Sequence, residues 1–527
     1  MATKSLVSGL LLSLLAACEA PHTSQVKDEW NDANNPVTMM ANAYSFETSY
    51  DALPKSGRPE RMPWSDNYWP TYQGGLGYRW NQEKSRQLSR MESKSSDSLY
   101  AGQLDENPEL QKLRSEVYGY VPYTKDQLLA LADAEREETI RGLSPAEKYD
   151  IYRGDFAYPT LQSERRRTGI LRTLRDQPGY LVGKKIETWF GLCHAWAPAT
   201  VMLKEPGALS VEGKDQIKVD FGASDIKALL SHMIDADPRQ TRFNTFMGVR
   251  CNSDLSQTNV ARLEKDVFND LEWKNNEKVE LAIRKLLDDK TIDVAVKLGL
   301  LPYILAYADT VEFAQDRFKT VSDDLSRYVN AQLRDDFRIA FEKAPKILAL
   351  AGTDALTPAE RWAGIQDAFR TKACSDTNAG AFHLVMSNLV GLQKQSFLVD
   401  ITRDREVWNQ AVAAYSSKEL QTFTGDSISP FAAPGTVKEV EMATTFHYTG
   451  EMASAWQPFS DGTQLDRRFH HPLKYSYRLE LDADGHIIGG NWLSDQRPDF
   501  LWGAANFVFS PAFADLKKLY YAAIRRP

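Results

Sequence analysis

The chain has 527 residues, 43% hydrophobic and 25% charged, with a formal net charge of -8. That is enough apolar material for two or three packed units. The acidic balance argues against a nucleic-acid partner, because neutralising phosphates needs clustered Lys and Arg.

At the N-terminus Lys4 precedes an apolar run from Leu6 to Ala17, too short to cross a bilayer as a stable helix. It closes on Leu15-Ala16-Ala17-Cys18, which looks like a bacterial lipobox: small residues fit the signal peptidase, and the Cys18 thiol accepts a diacylglycerol. Residues 1–18 then form a lipoprotein signal peptide and residues 19–60 a tether, polar and rich in Asn and Asp from Ala20 to Val37. Glu19 after the cysteine favours an outer-membrane address over retention in the inner membrane, with the periplasmic and cell-surface faces both open. An ordinary secretory signal with an incidental cysteine is the alternative.

Residues 61–180 read as an aromatic segment and a helical region. From Ser65 to Trp80 aromatics alternate with turn formers, which predicts an irregular piece docked on something larger. Thr124 to Arg141 has a helical pattern behind a capping residue, and Ser144-Pro145-Ala146-Glu147 opens another helix with serine at the cap and proline in the first turn. Arg165 to Arg167 read as a solvated helix face, and Ser224 as the start of a further helix. Residues 181–250 hold the helical half of a core, and residues 251–373 a helical insertion, where Leu263, Val267 and Leu271 and then Val321, Leu325, Tyr328 and Val329 recur at helical spacing. Its most apolar part, Leu298 to Tyr307, is short and contains Gly299 and Pro302, so it reads as core and not as a membrane span. Residues 374–527 are β-rich: Tyr475, Tyr477, Leu479 and Leu481 alternate with polar residues as a half-buried strand requires, and Asp484-Gly485 is a hairpin turn.

Within Trp189-Phe190-Gly191-Leu192-Cys193-His194-Ala195-Trp196-Ala197-Pro198-Ala199 a cysteine stands where a loop turns into a helix, so free amides there favour a thiolate. Pro198 resists this reading unless it lies in the opening turn, because it deletes the backbone bond to the carbonyl of His194. By itself Cys193 is as well explained as one more buried cysteine. The case for chemistry lies downstream, where His383 sits in an apolar run read as an extended strand, a costly place for an imidazole without a partner. A second strand, Ser396 to Asp400, ends in an acid. Two such strands joined by a loop from Val390 to Gln395 would set Asp400 beside His383 and leave the other ring nitrogen for the thiol of Cys193, a nucleophile, base and orienter in that order. Asn409 is the second candidate for orienter, and the indole of Trp189 a candidate oxyanion donor beside the Cys193 amide. His194 reads as a wall or surface residue. In an oxidising compartment, with Cys18 lipidated and Cys193 working, Cys251 and Cys374 remain as one candidate disulfide. No metal or other cofactor is expected: His470-His471 lack a third ligand, Asp482 to Gly485 lack the spacing of a calcium loop, and Gly183-Lys184-Lys185 is no nucleotide loop.

Cys193-His194-Ala195-Trp196-Ala197-Pro198-Ala199, the run Asp376 to His383, and Val407-Trp408-Asn409-Gln410 together resemble the transglutaminase elicitor family of oomycetes and bacteria. The resemblance extends over Ser65 to Trp80 and over Tyr475 to Trp502, and is weak in the insertion. The chain departs from the oomycete elicitor peptide at Ala411 and from Ala413 onward, so elicitor activity does not carry over. The resemblance implies an α+β fold: a papain-like or transglutaminase-like cysteine acyltransferase core with a large helical insertion and a helical N-terminal region. It also implies acyl transfer from glutamine side chains to amines through a cysteine thioester, on protein or peptide substrates. A cysteine peptidase, amidase or glutamine deamidase with the same residues, and a non-catalytic surface lipoprotein that binds a ligand, are the alternatives. The oligomeric state is open.

Overall fold

The computed structural model describes residues 34–40, 46–93, 100–101, 107–240, 244–248, 377–402, 406–429, 432–460, 462–494, 496–504 and 507–525. The signal segment with Cys18, most of residues 19–45, and the expected insertion with Cys251 and Cys374 lie outside the described residues.

The N-terminal part is mainly helical. It runs through β1 (Ser56–Gly57), α1 (Glu83–Ser93), β2 (Tyr100–Ala101), α2 (Pro108–Tyr118), α3 (Lys125–Leu129), α4 (Asp133–Arg141), α5 (Pro145–Tyr152), α6 (Pro159–Thr168) and β3 (Ile186–Glu187). The helix expected from Thr124 to Arg141 is split in two. Thr124 caps α3 as read, but the Arg136 guanidinium donates to the carbonyls of Leu128 and Leu131 and stabilises a break there. Ser144 caps α5 with Pro145 behind it, as expected, and Glu147 completes a capping box with Ser144. Arg166 and Arg167 are exposed on α6, whereas Arg165 turns inward to the carbonyls of Tyr118 and Tyr120.

Next come α7 (Cys193–Met202), the hairpin of β4 (Leu209–Glu212) and β5 (Lys218–Phe221), α8 (Ala223–Ala236) and β6 (Thr245–Gly248). The N-cap of α8 is Gly222 and not Ser224. The Ser224 hydroxyl is thereby released from capping and donates to Asp66 Oδ1 at 2.5 Å. That bond helps dock the aromatic segment, in which Trp64 and Trp69 are fully buried and the Trp64 indole donates to the Leu203 carbonyl at 2.9 Å.

The rest supplies α9 (Ala379–Met386), β7 (Leu398–Asp400), β8 (Asn409–Thr424), β9 (Lys438–Thr449), β10 (His470–Leu481), β11 (Ile487–Trp492), β12 (Phe500–Gly503) and α10 (Ala514–Ala523). Among the described residues the strands form an eight-stranded antiparallel sheet of order β11-β10-β9-β8-β7-β12-β6, with β1 paired to β8. Tyr475, Tyr477, Leu479 and Leu481 all point into one core, as their alternation predicts, and Gly485 turns the β10–β11 hairpin with φ +80°.

The sheet divides two hydrophobic cores. Leu398, Ala411 and Trp502 pack with α7 and α8 on one face, while their strand neighbours Val399, Val412 and Leu501 pack with α9 on the other. Gly380 brings α9 hard against β11: a Cβ there would meet the Gly489 carbonyl oxygen at 2.3 Å.

The segment holding His383 is helix, not the extended strand its apolar run suggests. Asn378 caps it by accepting from the amides of Gly380 and Ala381. The expected joining loop from Val390 is in part a π-helical turn, Ser387–Leu392, that continues α9.

Candidate active site

Cys193 is the first residue of α7, and the aromatic segment fixes its position. The Leu192 amide donates to the Tyr68 carbonyl at 2.7 Å and the Thr71 amide to the Phe190 carbonyl at 2.7 Å. Only glycine fits at 191, since a Cβ would stand 2.5 Å from the Tyr68 ring and 2.7 Å from its carbonyl. The amides of Ala195 and Trp196 both bond to the Leu192 carbonyl, which leaves those of Cys193 and His194 as the open donors of the first turn. Pro198 lies inside α7, past its opening turn, so the helix does carry the missing backbone bond at the His194 carbonyl.

The Cys193 side chain is buried and carries a free thiol. Its Sγ lies 3.5 Å from the Val407 carbonyl, to which it donates, and 3.7 Å from Asn409 Nδ2, which donates to it. Asn409 is held by Trp502, whose indole donates to Asn409 Oδ1 at 2.9 Å, so its amide is aimed with the NH2 towards sulfur.

Asp400 shares this face, as the cross-strand partner of Asn409. Its Oδ1 accepts from the amide and hydroxyl of Thr402, at 3.2 and 3.0 Å, and from the Trp408 amide at 3.0 Å. These bonds tie together the two ends of the β7–β8 connection that carries the Val407 carbonyl to the thiol. Trp408 packs edge-on against Tyr68, with ring centroids 5.3 Å apart.

The structure does not bring His383 to Cys193. His383 belongs to the core on the other face of the sheet, where its Nδ1 is 2.8 Å from the Tyr477 hydroxyl, itself bonded to Thr444 and through it to Ser417. In place of the expected His383–Asp400 pair, a buried hydroxyl chain engages Nδ1 of the imidazole, and Asp400 serves the β7–β8 connection. Burial, with a smaller push from Lys55, lowers the His383 pKa to about 3.

The native ring stays neutral while the unfolded one charges below its ordinary value near 6.5, so its contribution is complete above pH 6.5 and drains away as pH falls towards 3. The stability advantage of the native chain over His383→Gln should shrink by roughly 2–3 kcal/mol between pH 7 and pH 4.5. Urea unfolding at both pH values measures it, and a constant difference would mean that His383 titrates normally.

His194 is the histidine at the thiol. Its Nε2 is 2.8 Å from Asp235 Oδ1 in the last turn of α8. Burial opposes the charged ring, but the Asp235 hydrogen bond and the adjacent Cys193 outweigh it and raise the pKa to about 9. His194 is exposed, as the sequence reading of a wall or surface residue expected, and adjacent residues of a helix do not face each other. The indoles of Trp189 and Trp196 are buried with no hydrogen-bond partner among the described residues. Asn409, considered above as an orienter, is found instead as a donor to sulfur. No metal-binding cluster occurs among the described residues.

No curated protein matches the sequence. Among solved structures, the crystal structure of the GP42 transglutaminase from Phytophthora sojae is similar, with a TM-score of 0.47 and 17% identity over 91% of this chain and 94% of that one. The model of the family described as transglutaminase elicitor matches residues 41–94, 166–274 and 363–508. These segments contain Tyr68, Cys193, His194, Asp235, His383, Asp400 and Asn409 and make up more than half of the chain, which therefore belongs to the transglutaminase elicitor family.

Proposed function

We propose that the protein is a protein-glutamine gamma-glutamyltransferase that works through a thioester on Cys193. The observation that carries this reading is the placement of the thiol at the start of α7, against the Asn409 amide and beside two open backbone amides. Family membership supports it. The Cys193 sulfur attacks the carbon of a glutamine carboxamide, and the oxyanion that develops is met by the Cys193 amide and Asn409 Nδ2. The C–N bond breaks, ammonia leaves, and the thioester passes its acyl group to an amine. Tyr68, whose carbonyl seats Leu192, and Trp408, next to Val407, pack edge-on, and an aromatic wall of that kind beside the thioester would favour the amine over hydrolysis. No cofactor enters these steps. The lipobox reading would hold the enzyme on an outer-membrane face through Cys18, with protein or peptide substrates nearby.

The test is incorporation of a fluorescent amine into casein by the purified chain, with ammonia release and peptide cleavage followed in parallel. Incorporation blocked by alkylation of Cys193 supports transfer. Ammonia without incorporation would make it a deamidase, and cleavage a peptidase.

If Asn409 is an oxyanion donor, Asn409→Leu lowers kcat/KM by about 10²-fold, chiefly through kcat. Steady-state kinetics decide it. An unchanged kcat would restrict Asn409 to holding Trp502.

A further inference from the structure

We propose that Trp502 is a positioning residue for the thioester chemistry: its indole fixes which end of the Asn409 amide faces the Cys193 sulfur. The inference rests on the acyltransferase reading for its effect on rate, and the contact itself can be tested without an acyl substrate.

A side-chain amide carries an acceptor on one end and a donor on the other, and the two ends have nearly the same shape, so packing alone does not choose between them. The hydrogen-bonding neighbours must. An indole N–H can only donate. Trp502 Nε1 lies 2.9 Å from Asn409 Oδ1, and among the described residues it is the one side chain bonded to that oxygen. The opposite orientation would set the NH2 against the indole N–H and present a carbonyl oxygen to sulfur, where it would repel a thiolate and any oxyanion formed beside it. With Trp502 in place, Nδ2 is left for Cys193 Sγ at 3.7 Å. Asn409 and Trp502 are both buried, so water is a poor substitute for the indole.

Sheet topology explains why the donor is so long a side chain. β7 lies between β8 and β12, with Leu398 paired to Ala411 on one side and to Trp502 on the other. Asn409 and Trp502 thus stand two strands apart, about 10 Å at the usual strand spacing, and the donor has to reach across β7. The indole spans that gap and is held there. Phe246, its cross-strand partner in β6, stacks on it with ring centroids 5.7 Å apart and 13° between the planes. β6 is in turn backed by the N-terminal segment, since the Thr38 hydroxyl donates to the Phe246 carbonyl at 3.2 Å. A continuous set of contacts therefore runs from Thr38 through Phe246 and Trp502 to the amide at the thiol.

The experiment is a double-variant cycle in the full chain, read as amine incorporation. Trp502→Phe keeps a ring against Phe246 and removes the N–H. It should lower kcat about tenfold with KM within about twofold of native. In the Asn409→Leu background the same change should have no further effect beyond about twofold, because the group it acts through is gone. Phe246→Ala, at a position 55% exposed, loosens the stack without opening the core and should lower kcat about threefold, again only where Asn409 is present. Urea midpoints of each variant separate lost positioning from lost fold, and should Trp502→Phe not fold, Phe246→Ala carries the same comparison.

A second readout needs no substrate. The Trp502 indole N–H is the one of twelve tryptophan signals that Trp502→Phe removes from the NMR spectrum, and Asn409→Leu should move it and speed its exchange with solvent. Equal losses of kcat in both backgrounds, or native kcat in Trp502→Phe, would overturn the proposal, as would a Trp502 signal indifferent to Asn409→Leu. If the signal responds but no chain transfers an amine, the acyltransferase reading fails and the contact stands. Cys193-dependent transfer that survives Trp502→Phe within about twofold leaves the reading intact and removes Trp502 from it.

Discussion

Cys193→Ala reduces amine incorporation to the background rate, a loss of about 10⁴-fold or more, while leaving the fold intact. The size of the loss follows from the kind of step removed. Without sulfur there is no thioester, and the oxyanion donors can then assist only direct attack by an amine on an unactivated carboxamide, whose poor leaving group makes that route very slow. Cys193→Ser should lie close to Ala, because a hydroxyl is far less acidic than a thiol and stays un-ionised at neutral pH. Stability should change little. The side chain is small and buried at a helix start, so its loss removes two weak sulfur contacts and a single heavy atom from the packing. The paired measurement is incorporation rate and urea midpoint for native, Ala and Ser chains. Retention of more than a hundredth of the native rate in Cys193→Ala would place the nucleophile elsewhere and end the thioester mechanism.

How much of this was legible beforehand depended on whether a signal was local. The helix start at Cys193 was readable because small and apolar residues flank it, and the β10 alternation because one face of that strand is buried while the other is not. The capping box at Ser144 was equally readable, since its two partners are three residues apart. His383 was misread for a physical reason: a short, wholly apolar run has no period, and a helix buried on all sides resembles a buried strand. Asn378, followed by Ala379 and Gly380, was the capping signal that pointed to helix. The sheet then did what no spacing could reveal, placing His383 and Cys193 in different cores. Asp400 and Asn409 were both singled out, but their roles depend on register, which pairs them across β7 and β8 and brings Asn409 to the thiol. The contact between His194 and Asp235 joins residues 41 apart, so it had no sequence signature beyond the presence of an acid near the end of a helix.

Lys148→Met should destabilise the chain by about 3–5 kcal/mol, the cost of leaving a buried charge without its partner. Lys148 Nζ and Asp225 Oδ2 are 2.6 Å apart and both side chains are fully buried. The ammonium also stands 4.9 Å from the Trp456 ring centroid. Asp225 is committed elsewhere too, accepting from the Trp80 indole at 2.7 Å and from the Gly222 amide at 2.7 Å. This one carboxylate joins α5, the N-terminus of α8 and the end of the aromatic segment. Removing Lys148 therefore strands a group that cannot reorient without also breaking a helix cap. Asp225→Asn alone should cost at least as much as Lys148→Met, because Trp80 and Gly222 donate to different carboxylate oxygens and an amide supplies only one acceptor, so one donor meets its NH2 while the lysine charge is left unpaired. The double variant should cost less than the sum of the singles, since it leaves no unpaired charge. Urea unfolding of the three variants tests this, and additive losses, or less than about 1 kcal/mol for Lys148→Met, would show that water reaches the pair. The consequence extends to the chemistry. The same segment carries Tyr68, whose carbonyl seats Leu192 ahead of the thiol, so partial release of its Trp80 end should lower the rate of Cys193 alkylation before the chain as a whole unfolds.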